Sequence, residues 1–265
     1  MKSIAVILPT FKPGNYLLKC FRCLEAQTIN KAQYCLYIGL NGPKKGYEEL
    51  ILALLDNAEF NYKYFYLPTA GVSFARNTLI DESIENYLVF LDDDDEISPN
   101  YLESLLAVTT PKTMGLANVV NFTEDKNTYF ENYIGKSFAS LPKKGTSAYQ
   151  YRKYFSSPWA KMLHRDMIAN IRFDTRLALG EDGFFMANVS KNIESFEKCS
   201  NDTVYYVNVR QNSSSRKKID KAKELKRIIY LTGCYLKMLL CCEYNRLFIT
   251  TRVAATLLNL KKIFN

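Results

Sequence analysis

The 265-residue sequence has a single histidine, His164, and no cysteine pattern that would make up for it. Its seven cysteines include one close pair, Cys20 and Cys23, with no second pair at zinc spacing, so a four-ligand zinc centre is excluded. A chain this long has enough core to fold without disulfide staples, and an odd cysteine count favours reduced thiols and a cytosolic setting. No uninterrupted apolar run reaches the ~18 residues that a membrane span requires. The opening MKSIAVILPTF has only a short apolar stretch ending at Pro9, without a small-residue cleavage site, and is expected to be a first buried strand rather than a signal peptide. There is no internal repeat and no Gly-rich phosphate-cradling loop, PTFKPGN (9–15) being a poor one. A net positive surplus is lacking outside the C-terminal stretch. Residues 216–265 carry 12 of the 35 Lys and Arg against three acidic residues, and the remainder of the chain is close to neutral. A basic surplus so confined argues against nucleic acid and for a local contact with an anionic partner.

The hydrophobic pattern of the first hundred residues alternates between strand and helix. Apolar, β-branched runs over 3–8, 34–40, 62–67 and 87–91 are separated by helix-periodic segments over 16–26, 48–55 and 72–86. This is the βαβ signature of a mostly parallel sheet with helices on both faces, a Rossmann-like α/β fold. In such sheets ligands bind beyond the carboxyl ends of the strands, where 9–11, Asn41 and 92–95 should converge. A helix over 101–108 follows, then a stretch over 109–157 with no assignable periodicity. A last strand is expected over 203–209, a polar linker over 211–216, and helices broken near 242–245.

The most telling motif is FLDDDDE (90–96), four carboxylates in a row at a strand end. Mutual repulsion makes this costly unless a cation neutralises it, and a hard divalent ion with oxygen ligands suits it. A calcium loop beginning at Asp92 fails because Ile97 stands where glycine is needed and a strand leads in. A solvated acidic loop is the plain alternative.

Taken with AVILPTFKPGNYLLKCFRCLEAQ, AGVSFARN (70–77), FLDDDDEISPNYL, PWAKML followed by RFD, and GEDGFF (180–185), the tetrad resembles the pattern of glycosyltransferase family 2 of the GT-A fold, over roughly residues 3–190. The resemblance implies a GT-A catalytic region over 1–210, with a nucleotide-sugar half (1–100) and an acceptor half (101–210), followed by a basic helical extension over 216–265. It implies an inverting transfer of a sugar from a nucleotide-sugar, with a UDP-sugar as first choice, to a saccharide or lipid-linked saccharide in surface polysaccharide synthesis.

Position by position, the resemblance places Asp94 as ligand to Mn²⁺ or Mg²⁺, Asp92 at the ribose and Asp93 on the donor side, with Asp95 close by. Pro9, Thr10 and Phe11 would lie against the base, and Arg76 would face the nucleotide. Asp182 would be the catalytic base and Glu181 would orient the acceptor, although two acidic residues there would also suit a helix N-terminus. Trp159 and Lys161 would wall the acceptor side. Many members carry an acidic turn after the second strand; here Asn41 stands in a Leu-Asn-Gly-Pro turn, its amide able to donate to and accept from a base. His164 stays outside the site.

The extension sets Leu225, Ile228, Ile229, Leu236, Leu239 and Leu240 near one helical face, with basic residues at its start. That suits peripheral contact with the anionic inner face of the cell membrane, and equally a cover for the catalytic domain or a dimer contact. Two rival functions remain at this level: a sugar nucleotidyltransferase, and a non-catalytic nucleotide- or sugar-binding scaffold.

Overall fold

The computed structural model describes residues 3–210 and 220–261, so the linker expected over 211–216 lies outside the described residues. The first half runs β1 (Ile4–Thr10), α1 (Tyr16–Glu25), β2 (Tyr34–Asn41), α2 (Glu48–Leu55), β3 (Asn61–Leu67), α3 (Val72–Glu82) and β4 (Tyr87–Phe90). These four strands are parallel, in the spatial order β3-β2-β1-β4. Both β1 and β4 are buried along their whole length, which is why their sequences are apolar without alternation. β1 continues through Pro9 and Thr10 beside β2, beyond the expected end at residue 8. Proline is tolerated there because β4 pairs only with Ile4 to Ile7, so the missing N–H interrupts no ladder.

The second half is irregular. It comprises β5 (Glu96–Ile97), α4 (Tyr101–Val108), β6 (Thr113–Leu116), β7 (Asn118–Phe122), β8 (Phe130–Glu131), α5 (Tyr133–Ser140), β9 (Lys144–Gly145), β10 (Lys161–His164), α6 (Arg165–Ile168), α7 (Glu181–Val189), β11 (Ser195–Lys198) and β12 (Val204–Asn208). β10 joins β4 antiparallel and continues the central sheet through β6, β11 and β9, giving eight strands. A second sheet, β5-β12-β7-β8, stands beside it. The unassigned stretch 109–157 thus supplies strands to both sheets, in pieces too short to show a period.

α3 ends at Glu82, earlier than its apolar pattern suggests. Arg165 is the reason: its guanidinium donates to the Ser83 hydroxyl at 2.8 Å and the Glu85 carbonyl at 2.8 Å, drawing 83–86 out of the helix and onto the start of α6.

The C-terminal helices α8 (Lys221–Leu240) and α9 (Arg246–Leu258) break where the sequence suggests and pack into the same core through Leu231, Tyr235, Met238, Phe248 and Ile249. The expected single apolar face is split. Ile228 turns inward with Leu231, Tyr235 and Met238, whereas Leu225, Ile229, Leu236 and Leu240 face out, because neighbouring positions on a helix lie ~100° apart.

Candidate active site

The carboxyl ends of β1, β2 and β4 open into a cleft of about 1220 Å³, larger than the ~300–1,000 Å³ usual for one small ligand. Pro9, Phe11, Asn41, Arg76, Asp92 to Asp95, Trp159, Glu181 and Asp182 line it, with Lys12, Tyr133 and Arg210 among others. Residues more than a hundred positions apart in sequence therefore meet at one mouth. Lys161 and Thr10 do not line it.

Arg76 is the centre of the arrangement. It leaves the buried face of α3, stacks over the Phe173 ring at 5.3 Å, and donates to Asp92 at 2.8 Å and to Asp182 at 2.6 Å. Its side chain is 4% exposed while the two carboxylates are partly open to the cleft. One guanidinium thus ties the end of β4 to the start of α7, and the paired carboxylates hold its pKa above the ordinary arginine value.

The four aspartates are held by different partners. Thr10 donates its hydroxyl to Asp93 at 2.5 Å, so Thr10 acts from beneath the donor loop rather than from its surface. Burial, resisted by that hydrogen bond and reinforced by the neighbouring Asp94 and Asp92, pushes the Asp93 carboxyl up to about 7. Asp94 is paired with Arg210 at 2.6 Å, and Asp95 accepts from the Asn208 backbone N–H at 2.8 Å. Burial raises both, with their acidic neighbours adding to it. Tyr205 accepts from the Asp92 N–H at 3.2 Å, so β12 supports the acidic turn from below.

Asn41 is spent on the protein itself. Its amide donates to the Thr10 carbonyl at 2.8 Å and accepts from the Gly71 N–H at 3.0 Å. These two bonds clamp the β1 loop to the start of α3, which gives Asn41 a positioning role at the cleft that it lines. Beside it Gly42 has φ +110°, and a Cβ there would meet the Phe11 ring at 2.6 Å; only glycine lets that ring lie over the turn.

On the opposite wall Gly180, at φ +84°, turns the chain into α7. Glu181 and Asp182 occupy the first turn, where the helix terminus favours negative charge. Burial and the neighbouring Asp182 push Glu181 up to about 7; burial also raises Asp182, against the pull of Arg76. Arg227 of α8 packs against Gly180, so the extension holds this turn in place.

Trp159 lines the cleft but gives one face to Tyr205, stacked at 5.0 Å and 8°. Lys161 lies behind the wall, 1% exposed, its ammonium donating to the carbonyls of Ser157 at 2.7 Å and Trp159 at 2.5 Å. The expectation that Lys161 faces the acceptor is corrected: its long chain points into the core and pins the Trp159 turn. Between them Ala160 is held at φ +61°, a strained setting for a residue with a Cβ. His164 packs edge-on against Tyr87 and caps α6, away from the cleft. Arg210 belongs to no motif; its one distinguishing signal is its place directly after the last expected strand, before the polar linker.

A mostly parallel sheet with an acidic turn at the end of β4, bridged by a buried arginine to a second acidic pair, is the architecture of the GT-A fold. The sequence model of Glycosyl transferase family 2 matches residues 5–172, and the chain belongs to that family. It is 27% identical over 226 residues to glycosyltransferase GlyA of Streptococcus pneumoniae serotype 4, covering 81% of this chain and 32% of that protein. Over 105 residues it is 30% identical to the succinoglycan biosynthesis protein ExoM of Rhizobium meliloti, covering 39% of this chain and 33% of that one. The chain spans about a third of the length of these curated relatives. Among solved structures it resembles S. aureus TarS 1-349 in complex with UDP-GlcNAc, at TM-score 0.77 and 16% identity, over 96% of this chain and 71% of that one. It also resembles the mannosyltransferase PcManGT of Pyrobaculum calidifontis in complex with GDP-Man and Mn²⁺, at TM-score 0.64 and 11% identity, over 97% and 70%. At these identities the structural likeness shows the fold alone.

Proposed function

We propose that this glycosyltransferase moves a sugar from a UDP-sugar to a saccharide hydroxyl with inversion, in the synthesis of a surface polysaccharide or lipid-linked oligosaccharide. The Arg76 bridge carries the reading, because it joins the donor end of β4 to the only acidic pair across the cleft among the lining residues. Asp182 takes the proton of the attacking hydroxyl and Glu181 orients the acceptor. Asp92 and Asp93 face the nucleotide, and the loop of Pro9 and Phe11, clamped by Asn41, lies against the base.

Six carboxylates line the cleft against Arg76, Arg210 and Lys12, a surplus of negative charge that fits a divalent cation. No group of three or more His, Cys, Asp or Glu side chains among the described residues is arranged to hold a metal alone. An ion such as Mn²⁺ or Mg²⁺ would take Asp94, in place of its Arg210 partner, as a protein ligand beside the diphosphate of the donor. When bound, it would stabilise charge on the departing nucleoside diphosphate.

Calorimetric titration with UDP, GDP and CMP, with Mn²⁺ and with chelator, tests the donor assignment. The reading expects metal-dependent binding of UDP. Selective binding of another nucleotide would replace the donor, and failure of all three would favour a non-catalytic scaffold.

No described helix is long and apolar enough to cross a membrane. A peripheral contact with the anionic inner face of the cell membrane is favoured by α8, which presents the exposed Leu225, Ile229, Leu236 and Leu240 in one stripe flanked by Lys226 and Lys237. Sedimentation with phosphatidylglycerol vesicles, weakened by salt and absent with phosphatidylcholine alone, is the expected result; no binding to either would remove the membrane from the account.

A further inference from the structure

The acceptor end of the cleft contains an aromatic ring that the sequence motifs do not touch. Four rings line the cleft: Phe11, Tyr16, Trp159 and Tyr133. Phe11 lies over the Gly42 turn, Tyr16 is stacked under the Arg210 guanidinium at 4.3 Å, and Trp159 is stacked on Tyr205. Tyr133 is 54% exposed, and the neighbouring Tyr129 and Phe130 are exposed too.

Exposure of an aromatic residue on a mobile loop would mean little. Tyr133 is instead the first residue of α5 and is fixed from several sides. Asn132 caps the helix by accepting from the Ile134 N–H at 2.8 Å, and its own amide donates to Asn121 of β7 at 2.7 Å. Gly135 seats α5 directly on β7: a Cβ there would lie 1.9 Å from the Val119 carbonyl oxygen, so any other residue would push the helix away. The Tyr133 hydroxyl is hydrogen-bonded to the Ser156 hydroxyl, and Lys153 donates to its carbonyl at 3.3 Å. Ser156, Ser157 and Trp159 share the cleft wall with it, and Lys161 pins that wall from behind. A rigid, half-exposed ring with hydroxyls beside it suits a pyranose, whose C–H face packs on the ring while its hydroxyls meet polar groups.

We propose that Tyr133 is the platform of the acceptor subsite, binding the sugar that presents its hydroxyl to Asp182. This rests on the transferase reading above and names the residue that selects the acceptor rather than the donor. The expectation built on Trp159 thereby shifts to a ring outside the family motifs.

The test is binding of methyl β-glucoside, β-galactoside and β-N-acetylglucosaminide to the UDP-saturated protein by saturation-transfer NMR, with UDP affinity measured alongside. At least one glycoside should bind the wild type. Tyr133→Ala should weaken it about tenfold, the size expected when a packed aromatic surface is lost, while UDP binding stays within about twofold of wild type. Tyr133→Phe, which keeps the ring but loses its bond to Ser156, should bind more tightly than Tyr133→Ala. The proposal is overturned if no glycoside binds the wild type, if Tyr133→Ala binds as tightly, or if Tyr133→Ala loses UDP as well. Loss of UDP binding by the wild type itself would instead strike the donor reading.

Discussion

The two walls of the cleft are made in different ways. The donor wall hangs on four parallel strands whose ends are fixed by continuous ladders, and its side chains reach the cleft from predictable positions. The acceptor wall is assembled from a two-residue strand, the start of an eight-residue helix, a 3₁₀ turn, a strained Ala160 and a left-handed Gly180. Its shape is kept by buried side chains that hydrogen-bond to backbone: Lys161 under the Trp159 turn, Tyr154 on the Ala117 carbonyl at 2.7 Å, and Arg252 of α9 on the Arg152 carbonyl at 3.2 Å. Under the proposed function, regular secondary structure builds the part that would meet a nucleotide, while irregular structure, more easily varied, builds the part that would meet the acceptor.

Arg76 belongs to both walls, so its removal should have the largest effect. Arg76→Met leaves Asp92 and Asp182 facing each other without the cation, and breaking a buried ion pair from one side costs about 3–5 kcal/mol. Thermal unfolding should report that loss, and donor binding and transfer should fall together. A variant that lost transfer but bound UDP normally would confine Arg76 to the acceptor wall.

The pH response is the next sharpest contrast. Glu181 is raised to about 7, so the folded protein holds a proton there that the unfolded chain has already released. That contribution to stability is fully present below the ordinary carboxylate value and is lost as pH rises toward 7. Activity should run the other way, rising with pH as the raised carboxyls of Asp182 and Glu181 ionise and then levelling. Melting temperature and initial rate, measured over the same pH series, should therefore move in opposite directions; a flat rate profile across pH 5–8 would contradict the assignment of the pair.

Lys161→Met should have the smallest effect on UDP binding of the three and the most localised one. Two carbonyls lose their donor, at about 1–3 kcal/mol for each buried group left unsatisfied. The Trp159 turn relaxes, so acceptor KM should rise while UDP affinity holds. Equal loss of both would mean that Lys161 supports the whole cleft rather than one wall.

The same asymmetry explains what the sequence made visible. β1 to β4, α1, α2 and α4 are legible because their apolar periods are long and their ends carry turn residues, and the tetrad stands at a strand end that the pattern locates. Arg76, Asp92 and Asp182 were selected by motif, but their contact depends on packing between α3 and α7 that no local signal encodes. The clamp made by Asn41 has no sequence signal, because its two backbone partners, Thr10 and Gly71, come from other segments. Lys161 shares its motif with Trp159, and two residues apart in an extended strand would share a face, but the positive φ of Ala160 between them turns the Lys161 side chain into the core. Tyr133 was invisible, since α5 is short and its seat on β7 is set by one glycine.

The central claim is that one arginine joins two carboxylate groups that do separate work. Measuring UDP affinity with Mn²⁺ and the rate of sugar transfer in Asp94→Ala and Asp182→Asn, side by side, tests it most directly. The account predicts that Asp94→Ala loses metal-dependent UDP binding, while Asp182→Asn keeps UDP affinity near that of the wild type and loses transfer by about 10²–10⁴-fold. Normal UDP binding by Asp94→Ala, or substantial transfer by Asp182→Asn, would contradict it.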